Sequence, residues 1–186
     1  MMKLMPPKLM PHWIRRFARD ERGVSAVEFA MILPLMLTLY LGGVEVSQGV
    51  SIDRKVTLTA RTVTDLVSQV SSINNAGTTA VLGASASVLA PYPVDKATVT
   101  VSVIKIDANS QVTVTWSETL NGTKRATGST VTIPPALVVP NTSLVWSEVS
   151  YAYKPVVGYV LTGTLNLKDQ IYMRPRLSDS VTRTAS

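Results

Sequence analysis

The stretch from Val24 to Val44 reads VSAVEFAMILPLMLTLYLGGV, and its only ionisable groups are Glu28 and the Tyr40 hydroxyl. A bilayer core about 30 Å thick needs about 20 apolar helical residues, so this segment is long enough to span one. It exceeds the apolar core of a cleaved secretory signal, and no A-x-A pattern follows it. The residues therefore predict a retained single-pass helix. Residues 1–23 hold Lys3, Lys8, Arg15, Arg16, Arg19 and Arg22 against Asp20 and Glu21, so the leader carries +4 of the chain's net +6. Cations before the span and Glu45 after it place the N-terminus in the cytoplasm and the remainder outside.

That location of the charge decides a second question. A basic chain invites a nucleic-acid reading, but the residues after the leader are close to neutral and show no basic stripe with interleaved aromatics. No nucleic-acid partner is expected; the lipid bilayer is. Charged residues make up only 16% of the chain against about 25% in ordinary globular proteins, as suits an anchor followed by a Ser/Thr-rich exported domain. There is no cysteine, and the only histidine is His12 in the leader. Disulfides, thiol chemistry, His/Cys metal sites and histidine-dependent triads are thereby excluded, and neither a cofactor nor a metal is expected.

Glu28 is the costly residue in the span. A carboxylate deep in a membrane helix costs about 2.5–3.5 kcal/mol or more, so such groups are usually paired and functional. Glu28 also lies one turn inside, where it could reach the headgroups. Pro34 removes one helical hydrogen bond and predicts a kink, which membranes tolerate better than water does. Gly42-Gly43 and Gly49 read as a flexible neck where the helix leaves the bilayer.

Beyond the neck, Val46, Val50, Ile52, Val56, Ala60, Val63, Leu66, Val67, Val70 and Ile73 recur at helical spacing. They predict an amphipathic continuation that packs on the chain's own sheet and ends at Asn74-Asn75-Ala76-Gly77. A second short helix is expected over Thr78–Ala90, closed by Pro91 and Pro93. From Ala97 the period becomes two. Val99, Val101 and Val103 alternate with Thr98, Thr100 and Ser102, and Ile104 and Ile106 then take the opposite phase, as at a bulge or a strand buried on both faces. A turn at 107–110 joins this run antiparallel to Val112, Val114 and Trp116. Asn121-Gly122 signals another hairpin, returning the chain along Thr123–Ile133. Pro134-Pro135 and Pro140 mark a loop free to approach the membrane or a partner. Leu144–Tyr153 and Leu165–Met173 read as two further strands, and the tail after Leu177 as polar and frayed. The expected fold is α+β: a long N-terminal helix packed on a small antiparallel β-sheet. Its parts are a leader (1–23), a transmembrane helix (24–44), a helical stem (45–94), a sheet domain (95–177) and a tail (178–186).

No G-x-S-x-G, P-loop or H-E-x-x-H occurs, and no catalytic residue is assigned. A carboxylate pair such as Glu118 and Glu148 could meet across strands as acid and base, but reads as ordinary sheet-surface carboxylates. Asp107-Ala108-Asn109 lacks the glycine and distal glutamate of a calcium loop and reads as a turn. The Asn-x-Ser/Thr triplets at Asn121 and Asn141 read as turns also.

The stretch Arg19-Asp20-Glu21-Arg22-Gly23-Val24-Ser25-Ala26-Val27-Glu28-Phe29, followed by Ile32-Leu33-Pro34-Leu35, resembles the processing site of TadE-type pseudopilins of the tight-adherence (Flp) type IV pilus system. The resemblance is firm over 19–45. It is looser over 144–176, where Tyr151-Ala152-Tyr153-Lys154-Pro155 and Tyr172-Met173-Arg174-Pro175-Arg176 are similar to closing segments of that family. It implies cleavage by a prepilin peptidase between Gly23 and Val24, with Glu28 as the fifth residue of the mature chain and, with Phe29, part of the subunit-assembly surface. It implies a minor pilin in the bacterial inner membrane with a periplasmic domain. The partners it implies are the inner-membrane pilus assembly platform, other pseudopilins and the major pilin. The alternative reading of the same anchor and sheet is an unprocessed, membrane-anchored periplasmic binding protein.

Overall fold

A computed structural model describes residues 21–155, 158 and 163–184. The first 20 residues, which hold most of the basic leader, lie outside that range. The described chain is α+β, as the periodicities predict. Helix α1 runs from Glu21 to Ser68 without interruption. It is followed by a two-residue strand β1 (Ser72–Ile73), helix α2 (Asn75–Leu89), and strands β2 (Ala97–Ile106), β3 (Val112–Leu120), β4 (Thr142–Tyr153), β5 (Leu165–Met173) and β6 (Thr182–Arg183). The main sheet is antiparallel in the order β3-β2-β4-β5, and β1 pairs with β6 in a separate parallel ladder.

One face of the sheet takes the second half of α1. Ile52, Val56, Ala60, Val63 and Val67 are buried against Val99, Val101, Val103, Trp116, Val145 and Val149. Each buried valine or isoleucine is worth about 1.5–3 kcal/mol, so this seam is the main stabilising contact of the domain. A polar stitch fixes its register. The Thr64 and Ser147 hydroxyls lie 2.5 Å apart, and Ser147 Oγ donates to the carbonyl of Ala60. The change of phase at Ile104 is a real bulge. Val103 faces Trp116 but Ile104 faces Val114, so Thr115 is the extra residue and the apolar side of β2 switches faces. Ile104, Ile106, Val112, Val114, Leu144 and Trp146 then form a second core on the outer face, closed by Ile133.

Four expectations are corrected. The helical stripe does not reach Asn74: α1 stops at Ser68, whose carbonyl accepts the backbone N–H of Arg176, and Ile73 joins the core from β1. Asn74 instead caps α2, its side chain accepting the N–H of Gly77. Asn121-Gly122 turns the chain, but 123–133 forms no strand; it touches the β3 edge through a bridge of Thr113 with Thr130 and backbone hydrogen bonds of Gly128, Ser129 and Val131 with Val112 and Val114. From that edge Val131 and Ile133 cover the outer core. The proline loop 134–141 lies at the end of the sheet remote from the anchor, because β4 runs antiparallel to α1 and ends with Tyr153 against Glu45. Finally, the described part of the tail, to Thr184, does not fray. Val181 is fully buried, its carbonyl accepts the Trp116 indole N–H at 2.8 Å, and β6 follows.

Candidate functional site

Helix α1 is the element on which the sequence places the candidate residues, and its two halves have different surroundings. From Gly23 it is long and apolar enough to cross a membrane. The most apolar stretch has a mean hydropathy of 1.9, and none of it is buried by the rest of the chain. Val24, Glu28 and Phe29 are all exposed on this projecting half. Val24 and Glu28 are four residues apart, so they share a helix face with an axial separation of about 6 Å. A cation at position 24 and the carboxylate at 28 would thus be displaced along the helix axis.

Gly23 shows what the chain itself requires there. A Cβ added to it would meet nothing within 4 Å, and its backbone has no positive φ. Glycine inside a helix costs about 1 kcal/mol relative to alanine, and no contact among the described residues requires it at 23, 43 or 83. A Cβ at Gly49 would make an ordinary contact with the Tyr153 ring, at 3.5 Å.

Tyr153 is the clamp at the point where α1 meets the sheet. Its hydroxyl donates to the carbonyl of Glu45 at 3.1 Å and lies 3.4 Å from Gln48 Oε1. Burial, with Glu45 adding to it, pushes the Tyr153 hydroxyl above the usual tyrosine range. Gly42 and Glu45 are buried as well. Where a flexible neck was expected, α1 is continuous and gripped by β4. Pro34 lies within the continuous helix, and Thr38 Oγ1 donates to its carbonyl at 2.8 Å.

The carboxylate pair is not brought together. Glu118 pairs across β2 with Val101, on the helix-covered face, whereas Glu148 pairs with Thr100 on the outer face. Each carboxylate faces cations instead: Glu118 has Arg183 at 3.3 Å and Lys124 at 3.8 Å, and Glu148 has Arg125 at 2.5 Å. The sheet separates them, so they cannot share one substrate as acid and base. Asp107 closes the β2–β3 turn as expected, Oδ1 accepting the N–H of Asn109 and of Gln111 at 2.8 Å. Asn121 and Asn141 both adopt positive φ, as turn residues.

One cluster escaped the sequence reading. Arg125 lies 3.9 Å from the centre of the Trp146 ring while holding Glu148, and Trp146 stacks on Tyr172 with centroids 5.3 Å apart. Burial and Glu148 raise the Tyr172 pKa, and Arg125 offsets part of that rise. The available signal was period-two placement of Trp146 with Glu148 on one strand and Gln170 with Tyr172 on the next. The contribution of Arg125, from an irregular segment, left no pattern.

Comparison with known protein families matches residues 23–65 to the model described as TadE-like protein. The match begins at Gly23, spans the whole projecting half of α1 and most of its packed half, and stops before the looser C-terminal likenesses. Neither a curated protein nor a solved structure matches the chain.

Proposed function

We propose that this chain is a minor pilin, or pseudopilin, of a tight-adherence pilus, cut by a prepilin peptidase between Gly23 and Val24. The observation that carries the reading is the TadE-like match, which begins at Gly23. No described side chain crowds Gly23, so its backbone is open to the close approach a peptidase needs. The apolar half of α1 serves first as a single-pass anchor in the bacterial inner membrane, with the basic leader in the cytoplasm and the sheet domain in the periplasm. Cleavage leaves an ammonium on Val24.

Assembly then follows from charge. Glu28 has no partner cation on the helix turn around it, and an unpaired carboxylate in an apolar medium is expensive. Stacking α1 beside a neighbour shifted along its axis brings Glu28 to that neighbour's Val24 ammonium and selects one register. Phe29 packs beside it, and a bend at Pro34 sets the angle at which the anchor meets the stem. The partners on this reading are the prepilin peptidase, the inner-membrane assembly platform, other pseudopilins and the major pilin. The sheet domain, clamped to α1 through Tyr153, is carried as one body with the helix and gives the subunit a minor or tip role.

Glu28→Ala tests the assembly step. Normal membrane insertion with loss of pili is the expected result. Unchanged pili in cells making only the variant would remove the charge pairing and favour an unprocessed, anchored binding protein.

A further inference from the structure

The main sheet ends differently at its two edges. At β3 the chain covers its own edge: Gly128, Ser129 and Val131 make backbone hydrogen bonds with Val112 and Val114. At β5 no described residue does so. This strand is paired with β4 along all nine residues, Leu165 to Met173, and its other side is unpaired. In an antiparallel strand every second residue turns its N–H and C=O away from the neighbour. Here that set is Asn166, Lys168, Gln170 and Tyr172. The Gln170 N–H donates to Asp169 Oδ1 at 2.8 Å, where a carbonyl of β4 could not also fit. The set runs along about 20 Å of open edge.

Main-chain chemistry selects the occupant of such an edge. Donors and acceptors repeat along a line about every 6.8 Å, which the backbone of another extended chain matches group for group. Recesses on both faces lie ready for its alternate side chains. On the outer face Lys168 and Gln170 border a groove of about 610 Å³. On the helix side Met173 and Arg176 border a cleft of about 420 Å³ against Arg61 and Leu66 of α1. The flanking residues set a pattern for the added strand. Leu167, Ile171 and Met173 are half-buried on the helix face and favour apolar neighbours; Asp169, the one charge in that row, is turned to the Gln170 N–H. Lys168 is exposed on the outer face, forms no ion pair among the described residues, and favours a carboxylate. A second copy of the chain fits poorly. β4 runs antiparallel to α1 and β5 antiparallel to β4, so β5 points away from the anchor along α1. Copies anchored in one membrane present β5 in the same direction, and a two-fold antiparallel pairing of two β5 edges is closed to them. Pairing centred on Lys168 or Asp169 would also set like charges opposite each other.

We propose that the β5 edge binds an extended segment of a different polypeptide, which adds a strand to the four-stranded sheet with apolar residues toward α1 and a carboxylate beside Lys168. Asp169 then yields the Gln170 N–H to a carbonyl of the incoming strand. The free edge exists whether or not the chain is a pilus subunit; only the choice against a second copy rests on the membrane anchor.

The test is fluorescence anisotropy of a labelled peptide of about eight residues, valine alternating with glutamate, titrated with the full chain in detergent. Saturable binding is expected. Methylating alternate backbone nitrogens of the peptide, at the valines or at the glutamates, removes main-chain donors and leaves the side chains; in one of the two phases it should weaken binding at least about tenfold. Gln170→Pro removes an outward N–H from β5, a change that edge strands tolerate, and should weaken binding as much. Lys168→Glu should shift preference to the matching valine–lysine peptide. Failure of the valine–glutamate peptide to bind overturns the proposal, as does binding indifferent to methylation in both phases or to Lys168→Glu. So does a concentration-dependent dimer of the full chain that Gln170→Pro disrupts, which would assign the edge to a second copy.

Discussion

The two halves of α1 are one helix in two solvents. In the most apolar stretch of the first half no residue is buried by the rest of the chain, whereas between Ile52 and Val67 the apolar side chains form one stripe pressed into the sheet. Both halves belong to one continuous α-helix, the first lacking only the N–H of Pro34. The difference lies in what covers the side chains: none of the described residues for the most apolar stretch, the sheet for the second half. A single unbroken helix can therefore carry an insertion signal and a domain core without a joint between them. Tyr153 marks the changeover, seated on Gly49 and bonded to the carbonyl of Glu45.

If the halves are this distinct, substitutions should separate them. Val63→Asp buries an unpaired carboxylate in the seam and should cost at least about 3 kcal/mol, abolishing cooperative unfolding of the domain while leaving membrane integration intact. Circular dichroism melts beside a membrane-extraction assay would show it; failed insertion would contradict the separation. Asn121→Asp removes an amide that donates to the carbonyls of Val94 and Ala97 and sets a carboxylate against them. A loss of about 2 kcal/mol in denaturant unfolding is expected.

A smaller effect belongs to the clamp. Tyr153→Phe should cost about 1 kcal/mol near neutral pH. Its pH signature is on the alkaline side. Because the folded-state pKa of Tyr153 is raised by burial, the folded state holds the proton more tightly than the unfolded one. This contribution is complete below the unfolded tyrosine value near 10 and is lost as pH climbs from there through the raised value. The Phe variant should show a shallower alkaline loss of stability in melts. At the bottom of the scale, Met31→Ala on the projecting half should change domain stability by less than about 0.5 kcal/mol, for Met31 is 77% exposed. A larger shift would mean that the first half also serves the fold.

The same contrast explains what could be read from residues alone. The span, the β2–β3 hairpin, its bulge and strands β4 and β5 were legible because each imposes a period, and a change of period or phase is visible in Val103 and Ile104. The stem's end was misplaced because Ile73 falls on the helical stripe by coincidence and enters the same core from a strand. The segment 123–133 followed a true turn but pairs with β3 only around Thr130 before burying Ile133, and side-chain burial leaves no turn-like mark. The ordered tail rests on Val181 and on the need of a buried Trp116 indole for an acceptor, a relation across 65 residues that no local pattern carries. At the candidate site, Gly23, Val24, Glu28 and Phe29 were legible through resemblance.

The most direct measurement is the intact mass and N-terminal residue of the protein purified from its native membrane, in cells with an active prepilin peptidase. A chain that begins at Val24 is the predicted result. A chain that still begins at Met1 would contradict the account and leave an anchored periplasmic protein whose first helix is never released.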